Sequence, residues 1–172
     1  MAKNTFFLRT NITSSGTNYA SDNIDISAYT DPSSGKVLVV DRGFITISTD
    51  GQGPVKAADV VSSGTGGKGL GIQALTESKT TLAQADDNAL FMLTNFYAAV
   101  GVAGALTMVT EQNAMNPASF ENGFIVPTDK IHVGWQTGSA WADELDIGFV
   151  FEVHTEKISL SRMQELLVSL TA

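Results

Sequence analysis

Cysteine is absent from this sequence of 172 residues. The chain therefore forms no disulfide, carries no thiolate nucleophile and offers no cysteine ligands for zinc. The Gly-x-Ser-x-Gly motif of serine hydrolases is also missing, and neither of the 2 histidines has an obvious triad context. We predict a protein that is not an enzyme and that has no catalytic residues, no cofactor and no metal.

Positive charge is scarce. The chain has 10 Lys and Arg residues against 18 Asp and Glu residues, for a formal net charge of −8, and no basic run occurs along it. Because proteins bind nucleic acid mainly through clustered cations, we expect no strong nucleic-acid binding. Charged residues make up only 16% of the chain, so much of its surface is neutral and favours contacts with like subunits.

A secretory signal peptide is not visible. The first apolar run, Phe6–Leu8, is too short for one and is followed by Arg9. We therefore expect a protein that is made in the cytoplasm and is not secreted through a signal peptide.

Residues 88–110 carry no charge, and their length would permit a membrane-spanning helix. Asn95 lies near the centre of this segment, and Gly101 and Gly104 can turn the chain. We predict a buried hairpin with strands Ala89–Val100 and Ala105–Val109, and no membrane span. A membrane helix is the alternative.

Alternation of apolar and polar residues is the strongest pattern in the chain. It occurs in Ile131–Gln136 and again in Ile147–His154, and it is typical of strands with one buried face. We predict that these two strands form one long hairpin, from Phe124 to Ile158, on which the rest of the chain packs. Gly43 interrupts an earlier strand pattern and predicts a bulge. Further strands are predicted at Phe6–Ile12, Ile24–Ala28, Val37–Ile47 and Ile72–Thr81.

Residues 51–71 are rich in glycine and contain Gly-x-Gly-x-x-Gly at 64–69. A dinucleotide site needs this motif between a strand and an amphipathic helix, and no such helix follows. Lys68 is followed by Gly69 rather than by Ser or Thr, so the phosphate-loop pattern fails as well. We predict a flexible surface loop.

The C-terminus differs from the rest. Leu160, Met163 and Leu167 recur at helical spacing, and Ser161 with Gln164 forms a capping-box pattern. We predict a helix over Arg162–Leu170 whose apolar side docks on the domain or on a neighbour. The expected organisation is a β-sandwich at 1–158 and a helical tail at 159–172.

The two histidines are candidate metal ligands. His132 and His154 each lie on an alternating strand, opposite the apolar row, so we predict that both are surface residues. A typical catalytic zinc site would need a third ligand.

Three acidic residues are candidate calcium ligands, and two tryptophans are candidate contacts for a sugar or a neighbouring subunit. Asp143, Glu144 and Asp146 lack the spacing of a calcium loop, and we predict a solvated turn. Trp135 alternates with the core row and is expected to be buried. Trp141 lies in a loop, where it covers the sandwich end or contacts a neighbouring subunit.

The short strands separated by Gly, Pro and Asn turns predict an all-β fold, an antiparallel β-sandwich of jelly-roll type with a short C-terminal helix. This layout resembles that of single jelly-roll viral capsid proteins. The resemblance is carried by Phe6–Ile12, by Asn23–Tyr29 before Asp31-Pro32, and by Ile131–Val153 with its helical tail. It is architectural, because no short motif supports it.

The resemblance implies a structural protein of the virion, a coat subunit that self-associates into trimers or larger capsomers. Its partners would be copies of itself and other virion proteins, with the tail clasping a neighbour. The missing basic arm implies an inner membrane, a separate packaging protein, or only weak contacts between this chain and the genome. The alternatives are a carbohydrate-binding or adhesion module, which needs exposed aromatic side chains, and a membrane-associated coat protein that uses residues 88–110.

Overall fold

The structure is a computed structural model that describes residues 4–49, 53–60, 66–102 and 105–171. Antiparallel strands make up most of it, with a four-residue α-helix in the first half, a short 3-10 helix at Pro117–Ser119 and a longer α-helix at the C-terminus. The predicted all-β sandwich with a C-terminal helix is confirmed. In chain order, the elements are β1 (Phe6–Ser14), β2 (Ala20–Asp25), β3 (Lys36–Thr49), α1 (Ala57–Val60), β4 (Gly66–Leu75), β5 (Leu90–Val102), β6 (Ala105–Met115), β7 (Phe124–Val126), β8 (Lys130–Thr137), β9 (Leu145–Lys157) and α2 (Leu160–Thr171).

The strands form two sheets. The four-stranded sheet has the order β1-β9-β3-β7, and the five-stranded sheet has the order β2-β8-β4-β5-β6. Pairing is nested along the chain: β1 pairs with β9, β2 with β8, β3 with β7 and β4 with β5. A long antiparallel ribbon wound into two facing sheets has this pattern, and it defines the jelly roll. Strand β6 pairs with β5 and forms one edge of the five-stranded sheet.

The predicted hairpin from Phe124 to Ile158 is wrong. Strands β8 and β9 lie in different sheets, where β8 pairs with β2 and β4, and β9 pairs with β1 and β3. The alternation correctly identified the buried rows, because Trp135 and Phe149 are both buried in one core between the sheets. Alternation shows which face is buried, but it does not identify the partner strand.

The uncharged segment forms the predicted hairpin. Strands β5 and β6 pair antiparallel, and β6 continues beyond the predicted end to Met115. Phe91 and Met92 at the start of β5 are completely buried between the sheets. Among the helices of the described residues, none has the length and apolar content needed to cross a membrane.

The glycine-rich segment is not wholly a loop. Residues 51, 52 and 61–65 lie outside the described residues, but Gly66 begins β4, so the loop prediction is wrong from there on. Gly69 and Gly71 face the outside of the five-stranded sheet. The Tyr97 ring lies against Gly69, and a Cβ on Gly71 would overlap the Leu82 side chain. Glycine at these positions lets other side chains approach the strand closely.

The bulge in β3 lies just before Gly43. The register with β9 shifts between Val40 and Arg42, which makes Asp41 the extra residue. Gly43 itself faces the core, where a Cβ would overlap the sulfur of Met92 on the opposite sheet. The bulge redirects the Asp41 side chain, as bulges near functional positions commonly do.

Helix α2 covers one end of the outer face of the four-stranded sheet. Met163 is buried against Val37 and Val39 of β3, so the helix docks on its own chain. The cap differs from the predicted capping box, because the Ser159 hydroxyl accepts the backbone N–H of Arg162 at 3.2 Å. The helix therefore begins two residues before the predicted start.

Candidate functional site

The two histidines lie on different sheets, so they do not share a ligand. His132 is half-buried on β8, whereas His154 is buried on β9. The prediction that both face solvent is therefore wrong for His154. Its cross-strand neighbour Val39 is covered by Met163 of α2, and the sequence of β9 alone gives no sign of that cover. Within the described part of the chain, no group of three or more His, Asp or Glu side chains is placed to hold a metal ion.

His154 lies between two carboxylates. Its Nδ1 is 2.6 Å from Oδ2 of Asp41, the bulge residue, and its Nε2 is 2.9 Å from Oε1 of Glu156. A carboxylate oxygen accepts hydrogen bonds, and a ring nitrogen donates when it carries the proton. This arrangement links β3 and β9 beside α2 and is structural in character.

We expect His154→Gln to lower the free energy of unfolding by about 2 kcal/mol, because it breaks a buried, charge-assisted contact. Urea unfolding followed by tryptophan fluorescence measures this change. His132→Gln is the matched control and should change stability by less than about 0.5 kcal/mol. Equal effects of the two substitutions would contradict the assignment.

The three acids before and within β9 do not form one cluster. Asp143 and Glu144 are exposed, whereas Asp146 is buried and accepts a hydrogen bond from the Thr13 hydroxyl. Asp143 also donates its backbone N–H to the carbonyl of Asp59 in α1. These contacts fix the turn before β9, and the predicted solvated turn holds for Asp143 and Glu144 only.

Both tryptophans are buried. Trp135 is 1% exposed and Trp141 is 6% exposed. Trp141 packs against Phe96 with ring centroids 6.0 Å apart. It therefore closes the sandwich end, the first of the two predicted roles. Neither ring provides the exposed platform that the carbohydrate-binding alternative required of tryptophan.

Exposed aromatic side chains lie instead on the uncovered half of the four-stranded sheet. Phe7 on β1 and Phe44 on β3 are 54% and 47% exposed. Phe44 lies opposite the half-buried Val150 of β9, and Phe7 lies opposite Glu152, two residues further along β9 on the same outer face. We call Phe7, Phe44 and Val150 the aromatic patch. It lies next to the salt bridge between Arg42 and Glu152, at 3.1 Å.

Helix α2 adds a second exposed apolar surface. While Met163 faces the sheet, Leu160, Leu167 and Val168 are exposed to solvent. An amphipathic helix docked by one face normally presents polar residues on the other. Here the exposed apolar residues lie among exposed polar ones, Ser161, Gln164 and Glu165.

A groove crosses the outer face of the five-stranded sheet. Asn95 of β5 and Gln136 of β8 both lie opposite Gly71 of β4, so two amide side chains flank a glycine. Two residues further along each strand, and on the same face, Tyr97 of β5 lies opposite Gly69 of β4. We call these five residues the amide groove. Its cavity volume is about 480 Å³, which is within the usual range for ligand sites.

A buried polar network lies at one end of the amide groove. The fully buried Gln73 donates to the Tyr19 hydroxyl at 2.8 Å and to the Thr81 carbonyl at 3.0 Å, and it accepts the Ala83 N–H at 2.7 Å. Burial raises the pKa of the Tyr19 phenol, and the hydrogen bond from Gln73 opposes this shift. The network fixes the β4–β5 loop, whose Leu82 forms a wall of the groove.

No protein-family model and no curated protein sequence matches this chain. Solved structures do. The VP1 protein in an unassembled KI polyomavirus pentamer aligns with a TM-score of 0.49 and 11% identity, over 92% of this chain and 99% of that chain. VP1 of Trichodysplasia spinulosa-associated polyomavirus, in complex with GM1 oligosaccharide, aligns with a TM-score of 0.47 and 7% identity, over 90% of this chain and 96% of that chain.

A plant virus protein is also similar. The Desmodium yellow mottle tymovirus structure aligns with a TM-score of 0.34 and 13% identity, over 92% of this chain and 85% of that chain. All three are viral capsid jelly rolls. The likeness is distant in sequence, and it concerns the arrangement of the strands.

Proposed function

We propose that this chain is a non-enzymatic coat subunit that self-associates into trimers or larger capsomers of a viral shell. The jelly-roll topology, the low charge content and the exposed apolar surfaces support this proposal. Folds of this type also serve as lectins and cupins, so the assignment depends on the surfaces of this chain.

The aromatic patch is the observation that carries the proposal. Phe7 and Phe44 are both large, exposed side chains on one sheet face, on the two strands that flank β9, and Phe44 lies opposite the half-buried Val150. Aromatic residues are enriched in the cores of protein interfaces. Burying one such side chain stabilises an association by about 1.5–3 kcal/mol. A second copy of the chain is the occupant that this patch fits.

The outer side of α2 gives the contact a second component. The aromatic patch and the exposed leucines of α2 are different surfaces of one subunit. Contacts between unlike surfaces are head-to-tail and form a closed ring, the geometry that a capsomer needs, where the rotation between subunits closes. We propose that residues 159–172 act as an assembly tail on the 1–158 sandwich, with Leu167 contacting the neighbouring subunit.

The subunit would be made in a host cytoplasm and end in the virion. Its net charge of −8 opposes direct binding of the genome. We therefore propose that other virion proteins or a membrane contact the genome. Copies of the chain itself are the main partner.

We expect purified protein to form defined oligomers, and Phe44→Ser to weaken the association at least about tenfold, because the loss of one buried phenyl ring at an interface costs more than 1.4 kcal/mol. Size-exclusion chromatography with light scattering measures this change across a concentration series. Negative-stain imaging gives the shape of the oligomer. Leu167→Ser should weaken the same oligomer if α2 contacts a neighbour.

Thr46→Ser is the matched control, because Thr46 is exposed on β3 two residues from Phe44. It should leave the oligomer unchanged. A wild-type protein that stays monomeric at high concentration would refute the proposed function. An oligomer that is indifferent to Phe44→Ser would refute the role of the aromatic patch.

A further inference from the structure

We propose that the amide groove binds a neutral saccharide, with hexopyranose units as the ligand class. The proposal does not depend on the coat function, because the groove is formed within a single chain. It concerns the outer face of the five-stranded sheet, on the opposite side of the sandwich from the aromatic patch.

Hydrogen bonding in the groove suits hydroxyl groups. Asn95 and Gln136 lie in one cross-strand row on either side of Gly71, so their backbones are two strand spacings apart, about 9.5 Å. Each amide offers both a donor and an acceptor, and a sugar hydroxyl needs both. Gln136 Nε2 donates to the Thr17 carbonyl at 3.3 Å, which leaves its Oε1 to accept from a ligand hydroxyl.

Tyr97 supplies the apolar contact. It is 45% exposed, it lies on the same face as Asn95 two residues away, and its ring lies against Gly69. Aromatic rings combine apolar area with a fixed orientation, which suits the C–H face of a pyranose. Leu82 covers Gly71, whereas a Cβ at Gly69 would meet only the Tyr97 ring within 4 Å, so the floor beside that ring is open and leaves space for a flat ligand.

The charge of the groove selects among saccharides. Its side chains are uncharged: the amides Asn95 and Gln136, the phenol of Tyr97, the hydroxyls of Thr17 and Thr137, and Leu82. An anionic sugar would find no cation among these groups while the chain as a whole carries a net charge of −8. The geometry therefore points to neutral hexoses rather than to sialylated or sulfated glycans.

Saturation-transfer NMR on the full chain tests this proposal with maltotriose and lactose as neutral probes and sialyllactose as the anionic probe, each at millimolar concentration. We expect transfer to a neutral probe. Tyr97→Ala should weaken its binding about tenfold through the loss of stacking, whereas Tyr97→Phe should retain it. Tyr29→Ala is the matched control, because Tyr29 is another exposed tyrosine that does not line the groove, and binding should be unchanged.

Several results would overturn the proposal: no transfer to either neutral probe, transfer to sialyllactose alone, or equal binding by wild type and Tyr97→Ala. If Tyr97→Ala does not fold, Gly69→Val provides a second test of whether the saccharide occupies the groove. A Cβ at Gly69 makes only ordinary contacts with the Tyr97 ring, so the added side chain should fill the groove floor and abolish binding while the fold is kept.

Discussion

Phe151→Ala is expected to lower the free energy of unfolding by about 4 kcal/mol, the cost of deleting a large aromatic side chain from a packed core. Phe151 is completely buried. Its ring contacts Phe149 on its own strand at 6.3 Å and Phe91 of the opposite sheet at 6.0 Å, both between ring centroids. The substitution therefore leaves a cavity between the two sheets, where neither sheet can close the gap alone.

Equilibrium unfolding in urea measures this loss as a shift in midpoint at constant slope. Phe7→Ala is the matched control. Phe7 lies on the adjacent strand β1 but on the outer face of the sheet and is 54% exposed, so its removal should cost the monomer less than about 0.5 kcal/mol. A loss below about 1 kcal/mol for Phe151→Ala would contradict the packing described above.

Gly35→Ala is expected to lower the free energy of unfolding by at least about 3 kcal/mol, because two costs add. Gly35 has a φ of 76°, in the left-handed region, which costs an alanine about 1–2 kcal/mol. Its Cβ would also overlap the backbone carbonyl oxygen of Ile158. The Ile158 N–H donates to the Gly35 carbonyl at 2.9 Å, so the turn before β3 and the start of the tail would have to move apart.

Gly16→Ala separates the two costs. Gly16 has a similar φ of 85°, but a Cβ there would meet nothing within 4 Å. Its substitution should cost only the backbone share, about 1–2 kcal/mol. Thermal and urea unfolding of both variants give the comparison. If Gly35→Ala costs no more than Gly16→Ala, the close approach of the tail to the turn is not a stabilising contact.

The local patterns were reliable wherever a residue's environment follows from its neighbours along the chain. The alternation correctly placed Ile131, Trp135, Ile147 and Phe149 in the core. The uncharged apolar segment with its turn glycines likewise gave the hairpin of β5 and β6. In each case the signal is the apolar row itself, which must be buried whichever strand lies beside it.

The pairing of strands could not be found in the same way. The prediction paired β8 with β9 because they are consecutive, but the jelly-roll winding places them in opposite sheets. Register and partner depend on contacts between residues far apart in sequence, such as Phe6 with Val153. No pattern within one strand encodes such a partner.

The candidate sites show the same division. The lack of cysteine, the scarcity of cations and the absence of known catalytic motifs are properties of the sequence, and they restricted the functional classes before any strand was placed. His154 and the amide groove depended on the tertiary structure. His154 is buried where Asp41 contacts its ring and Met163 of α2 covers its cross-strand neighbour Val39.

The sequence by itself determined that this chain is a β-rich, weakly charged protein with an amphipathic C-terminal helix, because hydrophobic periodicity and charge are local quantities. Only the tertiary structure decided which strands are neighbours, and therefore which side chains share a surface. Gly71, Asn95 and Gln136 come from three strands and form one row, because the sheet brings distant segments within about 5 Å of one another.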